Sequence, residues 1–253
     1  MTNIENVLTN FKRKNYTEAL QELNKILIID PSSVEKLNLK APKTLISEKK
    51  VNLYYYPSLN SPYTFVSTKR IREIRDEYPI NLFMKPVLPM LMRKMNIPTN
   101  KAKYILSDAA REGRRYGNEM KIIHSPIGNP ARKSYSLFPA IDKAGKGFEY
   151  IEALLKASFQ DGINIGDDNF LENLVTNLEL DWELIKKDLN SKHWQKILKD
   201  NVEDMYSGNC WGVPSFKITD EDGSNSFFNW GQDRIWLLKE EIYKRLEKSH
   251  EKL

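Results

Sequence analysis

The stretch that decides the fold is Val51-Asn52-Leu53-Tyr54-Tyr55-Tyr56, which is followed shortly by Ser61-Pro62-Tyr63-Thr64. The first segment is rich in tyrosine, ends before a proline and predicts a β-strand. Ser61 suits the N-cap of a helix, and Pro62 suits its first position, where the missing N–H costs nothing. The sequence therefore predicts a strand from Val51 to Tyr56 and a helix that runs to about Tyr78.

A second informative stretch is Gly212-Val213-Pro214-Ser215-Phe216, and Trp230-Gly231-Gln232-Asp233-Arg234 follows it. A proline at the first residue of a strand leaves neighbouring backbone groups free to pair with an extended ligand. We predict a hairpin of strands Val213 to Ile218 and Ser226 to Phe228, because the residues between them are prone to turns. Gln232 then opens a final helix that extends to about Lys248.

The rest of the chain is predicted to be mostly helical. A second strand, Asn81 to Val87, is expected to lie parallel to the first through a right-handed crossover. Helical spacing dominates from about Thr99 to Tyr206. The fold class is therefore α/β, in the order strand-helix-strand, helical insertion, strand-strand-helix. The predicted domains are residues 1–50, a helical extension, and residues 51–253, in which 51–90 and 207–253 flank the insertion at 91–206.

Composition is that of an ordinary globular protein. The chain has 253 residues and a net charge of +5, with basic and acidic residues interleaved, so we expect no nucleic-acid partner. Apolar runs are shorter than a membrane helix and the polar start lacks the layout of a secretory signal, so we expect no membrane partner. The single cysteine, Cys210, cannot form an internal disulfide, which favours a reducing, cytoplasmic location.

The polar residue types that most often bind metals do not predict a metal site. His124, His193 and His250 are far apart in sequence and lack the spacing of metal ligands. Asp167-Asp168 follows a glycine and predicts a helix cap rather than a pair of catalytic carboxylates. Cys210 lies just before the proline segment, within reach of a thiol ligand there, and is interpreted as a small buried residue.

Six linked segments occur in a recognisable order: Ser58-Leu59-Asn60-Ser61-Pro62-Tyr63, Lys85-Pro86-Val87-Leu88-Pro89-Met90, Lys101-Ala102-Lys103-Tyr104, Asp108-Ala109-Ala110-Arg111, Trp211-Gly212-Val213-Pro214-Ser215-Phe216 and Trp230-Gly231-Gln232-Asp233-Arg234. Together they resemble the 2-hydroxychromene-2-carboxylate isomerases and kappa-class glutathione transferases, the glutathione-using branch of the DsbA superfamily. The resemblance runs from Val51 to the last helix. It implies a DsbA-like thioredoxin fold with a long all-helical insertion, in which the peptide bond before Pro214 is usually cis.

Ser61 is the predicted catalytic residue. Thiol-disulfide enzymes of this shape carry two cysteines at the helix start, where this chain has Ser61 first and Thr64 last, so redox chemistry is not expected. A helix N-terminus favours a bound anion, and the Ser61 hydroxyl can donate a hydrogen bond to a ligand thiolate. Lowering a thiol pKa by about two units requires about 2.7 kcal/mol, which a charge-assisted hydrogen bond and a helix dipole can supply. The alternative is that Ser61 only caps the helix.

The resemblance implies that glutathione is the cofactor and assigns residues to its cysteinyl and γ-glutamyl parts. Val213, just before Pro214, would pair through its backbone with the cysteinyl part. Asp233 would hold the γ-glutamyl ammonium and Gln232 its carboxylate. The alternatives are a plain strand start at Pro214 and ordinary capping of the last helix by the two polar side chains.

The resemblance also implies cations for the glutathione carboxylates and a pocket for the second substrate. Lys101 matches a family lysine near the tripeptide, and Asn96 matches a further position beside it. Tyr63 and Trp230 would line the pocket of the second substrate. Looser candidates for the same pocket are Met90, Met92 and Phe138.

The predicted function is that of a glutathione-dependent isomerase or transferase whose thiolate, stabilised by Ser61, attacks a hydrophobic, conjugated electrophile. Ser58 stands where the commoner form of the family carries an aspartate, and the substrate is left open. One alternative is a non-catalytic thioredoxin-fold binding or scaffold protein whose N-terminal helices dock a partner. Another is a thiol oxidoreductase that uses Cys210. Assembly as a homodimer is also left open.

Overall fold

The computed structural model describes residues 50–189 and 191–247, so the predicted extension at 1–50 lies, except for Lys50, outside the described residues. Within them, a four-stranded sheet is combined with eight α-helices. The strands are β1 (Val51–Tyr56), β2 (Ile80–Met84), β3 (Ser215–Asp220) and β4 (Phe227–Trp230). The helices are α1 (Pro62–Glu77), α2 (Thr99–Arg115), α3 (Asn129–Lys143), α4 (Gly147–Phe159), α5 (Asp168–Asn177), α6 (Trp182–Ile185), α7 (His193–Ser207) and α8 (Ile235–Glu247).

The sheet has the strand order β2-β1-β3-β4. β1 runs parallel to β2, with Val51 opposite Ile80, and antiparallel to β3, with Tyr56 opposite Ser215. β3 and β4 form an antiparallel hairpin in which Ser215 lies opposite Trp230. The predicted α/β fold, with its parallel crossover and closing hairpin, is confirmed. The last residue of β1 and the first residue of β3 lie side by side at one end of the two central strands.

Helix α1 begins where the sequence predicts. The Ser61 side chain accepts a hydrogen bond from the Thr64 N–H at 3.1 Å, and Pro62 occupies the first turn. Inside the helix, Ile71 and Ile74 are fully buried against the sheet side of the domain, as helical spacing requires. The helix ends with Tyr78 in an extended conformation, because a residue that precedes a proline disfavours the helical region.

Three strands differ from their predicted bounds by a few residues. The fourth spans Phe227–Trp230 instead of Ser226 to Phe228, because Trp230 pairs with Ser215. The second strand ends at Met84 instead of Val87, since Pro86 has no N–H to donate to a ladder. The third starts at Ser215 instead of Val213 and continues to Asp220, because its pairing with β1 begins after Pro214. These shifts leave Val213 outside the ladder, so its backbone is not committed to the sheet.

The last helix also begins differently from the prediction. Gln232–Arg234 forms a single 3₁₀ turn, and the α-helix α8 follows from Ile235. The apolar face of α8 points inward, since Leu238 and Ile242 are fully buried. The turn places Gln232 and Asp233 at the junction between β4 and α8.

The helical insertion between β2 and β3 also contains a non-helical segment, residues 117–128, which lies beside the end of α4. Lys121 N donates to Phe159 O at 3.0 Å, and His124 N donates to Ser158 O at 2.8 Å. The rest of the insertion is mostly helical, as predicted. No helix of the described residues is both long and apolar enough to cross a membrane.

Candidate functional site

The fold brings three of the predicted segments together at the end of β1. The Ser61 hydroxyl lies 3.5 Å from the carbonyl oxygen of Val213. The Val213–Pro214 peptide bond is cis, as the family resemblance implied. Gly231 N donates to Pro214 O at 3.0 Å, so the turn before α8 lies next to Pro214. Ser61, Val213-Pro214 and the Gly231 turn therefore surround one point at the N-terminus of α1.

Ser61 has a hydroxyl proton that no strong protein acceptor takes. Its oxygen accepts a hydrogen bond from the Thr64 N–H, which leaves the hydroxyl proton to be donated to another acceptor. The Val213 carbonyl, the acceptor on offer, lies at the long limit of hydrogen bonding at 3.5 Å. The residue is buried, with 7% of its surface exposed. An anion next to this hydroxyl would therefore gain a donor, beside the partial positive charge of the helix start.

Two tryptophans form an aromatic wall next to Val213. The ring centroids of Trp211 and Trp230 are 4.5 Å apart with an interplanar angle of 59°. A Cβ at Gly212 would collide with the indole of Trp230, so only glycine lets this ring lie against the backbone there. Lys101 Nζ, from α2, lies 5.6 Å from the Trp211 ring centroid. The structure thus places Trp230 and Lys101, two predicted residues, on one continuous surface with the Val213 segment.

Tyr63 is held by a carboxylate that the sequence analysis did not assign. Its hydroxyl donates to Asp108 Oδ2 at 2.8 Å, and Arg111 donates to the other oxygen of Asp108 at 3.2 Å. Burial raises the pKa of Tyr63, and the bond to Asp108 raises it further, with a smaller electrostatic effect from Asp233. Tyr63 therefore stays protonated at neutral pH and lies within the field of Asp233. Nothing in the segment Asp108-Ala109-Ala110-Arg111 indicates that Asp108 bonds to Tyr63.

Gln232 is engaged by other protein groups on both sides of its amide. Its oxygen accepts from the Arg70 guanidinium, and its nitrogen donates to Glu112 Oε2 at 3.0 Å. Arg70 Cζ stacks 3.7 Å from the centroid of the Tyr116 ring. Burial lowers the pKa of Arg70, while Tyr116 and Glu112 act to raise it. Sequence reasoning missed Arg70 and Glu112, because neither lies in a segment that suggests a site.

Asp233 and Asn96 behave differently from Gln232. The Asp233 carboxylate is 59% exposed and pairs with Arg234 at 3.2 Å, so it can accept from a ligand. Asn96 is exposed in the loop before α2, and no hydrogen bond within the described residues joins it to Ser61. Of the looser candidates, Met90 and Met92 are half-buried, whereas Phe138 is a core residue of the insertion with 2% exposure. Phe138 is therefore removed from the set of pocket residues.

Residues 52–243 match the family model of the DSBA-like thioredoxin domain. The chain belongs to this family. Solved structures of similar fold include 2-hydroxychromene-2-carboxylate isomerase, with 15% identity, a TM-score of 0.65, and coverage of 80% of this chain and 99% of that one. No curated protein matches the chain in sequence.

A second similar fold is the cytosolic disulfide reductase DsbM from Pseudomonas aeruginosa. It is 13% identical with a TM-score of 0.60, and the match covers 80% of this chain and 100% of that one. The same reductase in a structure with GSH gives 12% identity, a TM-score of 0.58 and coverage of 79% and 99%. At such low identity these likenesses establish the fold that the two kinds of enzyme share with this chain.

This DsbA-like domain has no dithiol at its helix start. The one cysteine in the chain, Cys210, packs with Tyr56, Val87 and Met205 and is 5% exposed. Burial raises the pKa of its thiol, which lowers the fraction of reactive thiolate at neutral pH. The interpretation of Cys210 as a small buried residue is confirmed. Among the described residues, no three His, Cys, Asp or Glu side chains gather into a metal-binding cluster.

A cavity of about 320 Å³ lies elsewhere in the DsbA-like domain, between the edge strand β2 and the turn from α3 to α4. None of the predicted site residues lines it. It is bordered by Arg75, Lys85, Asp142 and Glu149. Burial raises the pKa of the Asp142 carboxyl to about 6, although Lys85 acts to lower it. Asp142 is therefore a poorly solvated carboxylate at neutral pH.

Replacing Asp142 with asparagine is expected to stabilise the protein above pH 6 and not at pH 4. Because the folded-state pKa is raised, the contribution of Asp142 to stability is full below the unfolded pKa and is lost as pH rises through about 6. Allowing for partial solvent screening, the gain at pH 8 is about 1–2 kcal/mol, measured by urea unfolding at both pH values. Asp200→Asn, which removes an exposed carboxylate paired with Lys196, serves as the control. An equal effect of Asp142→Asn at pH 4 and pH 8 would contradict the explanation.

Proposed function

We propose that this DsbA-like protein is a glutathione-dependent isomerase or transferase in which Ser61 stabilises the glutathione thiolate. The observation that carries the proposal is the Ser61 hydroxyl, which accepts from Thr64 N and, among the described residues, has no acceptor closer than the Val213 carbonyl at 3.5 Å. A serine with this geometry donates to an anion at the helix start. Since the chain has no second cysteine, a disulfide exchange cycle within it has no chemical basis.

The described residues suit the parts of glutathione. Ser61 and the Val213 backbone would hold the cysteinyl part, and Asp233 would accept from the γ-glutamyl ammonium. Lys101 would attract a carboxylate, since its ammonium lies on the tryptophan wall beside Val213. Bound glutathione would supply a nucleophilic thiolate, which adds to a conjugated double bond and leaves again in an isomerase or departs as the conjugate in a transferase.

The remaining residues of the site favour a hydrophobic second substrate. The exposed indole surfaces of Trp211 and Trp230 lie next to the Val213 segment, which contacts Ser61. Tyr63 keeps its proton because of burial and Asp108, so it would offer a neutral, polar edge to the same substrate. Two solved structures of similar fold support the proposal, one of 2-hydroxychromene-2-carboxylate isomerase and one of a disulfide reductase with GSH. A buried, unpaired thiol such as Cys210 suits the cytoplasm.

Calorimetric titration with glutathione at pH 7, in two buffers of different ionisation enthalpy, tests the proposal. A free cysteine thiol has a pKa of about 8.5, so it is mostly protonated at this pH. If the site binds the thiolate, binding releases about one proton per glutathione, and the observed heat depends on the buffer. S-methylglutathione, which has no thiol proton to lose, is the matched control ligand. Binding of glutathione without proton release would contradict the role of Ser61, and absence of binding would favour a scaffold protein.

A further inference from the structure

Next to the predicted γ-glutamyl residues lies a polar cluster in which Arg70 and Gln232 are buried and Glu112 and Tyr116 are half-buried. Arg70 comes from α1, Glu112 from α2, and Gln232 from the turn that precedes α8. Gln232 is 5% exposed and Arg70 9% exposed, so water does not replace their mutual hydrogen bonds. The cluster therefore joins three elements at the place where the turn enters the site.

The orientation of the Gln232 amide is fixed by a donor facing its oxygen and an acceptor facing its nitrogen. Its oxygen faces the Arg70 guanidinium, and its nitrogen faces a Glu112 carboxylate oxygen at 3.0 Å. Turning the amide around would set a donor against a donor and an acceptor against an acceptor. A ligand carboxylate bound by this amide would have to displace Glu112, which would leave a half-buried carboxylate without its hydrogen-bond donor. Gln232 is thus poorly suited to bind a ligand through its side chain.

Asp233, the next residue, has the opposite character. Its carboxylate is 59% exposed and forms an ion pair with the neighbouring, exposed Arg234. Gly231 has a φ of 110°, and a Cβ there would collide with Asp233 Oδ1. The Asp233 carboxylate therefore folds back over Gly231, whose N–H donates to Pro214 O at 3.0 Å.

We infer that Arg70, Gln232 and Glu112 form a positioning network that holds the Gly231–Arg234 turn, so that glutathione is recognised at its γ-glutamyl end by its ammonium, through Asp233, and not by its carboxylate through Gln232. The inference rests on the proposed function. It assigns a role to Arg70 and Glu112, two residues outside the predicted site, and changes the role of Gln232 from ligand to support. The network contacts no reacting atom and acts through the position of Asp233.

Two analogues of glutathione separate ammonium recognition from carboxylate recognition. Glutaryl-cysteinylglycine lacks the γ-glutamyl ammonium, and 4-aminobutanoyl-cysteinylglycine lacks the α-carboxylate. We expect the wild-type protein to bind the first about 5- to 10-fold more weakly than glutathione, the size of a partly exposed ion pair with hydrogen bonding. The second should bind nearly as well as glutathione. A dominant loss with the second analogue that disappears in Gln232→Met would show that Gln232 is a ligand and overturn the inference.

Variants of the network test the positioning role itself. In Gln232→Met and Glu112→Met, which remove the hydrogen bond between the two side chains, glutathione should bind only as well as glutaryl-cysteinylglycine does, so that the preference for the ammonium is lost. Affinity for glutaryl-cysteinylglycine should stay as in the wild type, which a general loss of structure would not allow. Asp233→Asn, at an exposed position, should give the same profile without touching the buried cluster.

Arg72→Lys is the matched control, because Arg72 lies on the same helix and pairs with Glu152 on another face. It should leave all three affinities unchanged. A wild-type preference for the ammonium that survives in Asp233→Asn, or in a folded Gln232→Met, would overturn the inference. Failure of the wild type to bind any of the three tripeptides would instead overturn the proposed function, so the two failures are distinguishable.

Discussion

Ser61→Ala is expected to raise the pKa of bound glutathione by about one to two units, because the thiolate loses a hydrogen bond to a charged acceptor worth about 1.5–3 kcal/mol. The hydroxyl that is removed accepts from Thr64 N at 3.1 Å, and its own proton has only the distant Val213 carbonyl, at 3.5 Å, as an acceptor among the described residues. The change is measured from the pH dependence of glutathione affinity. Turnover of an electrophile should fall about 100-fold, as it does when one donor to a developing anion is removed.

The same substitution removes a helix cap, so a capping control is needed. Loss of the Ser61 cap alone is expected to cost about 1 kcal/mol of stability. Asp167 caps α5 by accepting from Phe170 N at 3.0 Å, in a part of the insertion that holds no predicted site residue. Asp167→Ala should therefore show a similar loss of stability and an unchanged pH dependence of glutathione binding. If Asp167→Ala and Ser61→Ala have the same effect on binding, Ser61 acts only as a cap.

Tyr135→Phe is expected to lower the free energy of unfolding by about 2–4 kcal/mol, because it leaves two buried backbone groups unpaired. The Tyr135 hydroxyl accepts from Leu59 N at 3.0 Å and donates to Val87 O at 2.9 Å. It thereby joins α3 of the insertion to the loops that follow β1 and β2. Leu59 lies just before Ser61, so glutathione affinity should fall as well. Urea unfolding and calorimetry measure the two effects.

Tyr150→Phe is the matched control for this prediction. Tyr150 is also fully buried, but its hydroxyl donates to Ser134 O at 2.9 Å within the insertion and reaches no loop of the site. Its replacement should cost about 1 kcal/mol and leave glutathione affinity unchanged. A smaller destabilisation by Tyr135→Phe than by Tyr150→Phe would contradict the bridging role of Tyr135.

The parts of the fold that local chemistry determines were predictable. β1 has the predicted bounds, because a proline follows its apolar run, and α1 starts where a serine cap precedes a proline. The course of residues 117–128 was not predicted, since it depends on backbone hydrogen bonds to the end of α4. The start of β3 was placed too early because its register is decided by the pairing of Ser215 with Tyr56. Such pairings join residues that are distant in sequence and leave no local pattern.

The part of the site that could be predicted is the part formed by the sequence segments that carry the family resemblance. The order of segments led to Ser61, Val213-Pro214 and the turn at Gly231, and the structure gathers these. The partners Asp108 and Glu112 were missed because they reach the site through the packing of α2 against α1. Helical periodicity shows which face of a helix is apolar, and it does not show which polar groups of two helices meet. The predicted role of Asn96 stays a prediction.

The ultraviolet absorbance of the thiolate in wild-type protein saturated with glutathione, followed against pH, tests the central claim most directly. The account predicts that the thiolate band is already present at pH 7, well below the pKa of about 8.5 of an ordinary cysteine thiol. A band that develops only around the pH at which free glutathione ionises would show that Ser61 and the start of α1 do not stabilise the thiolate, and would contradict the account.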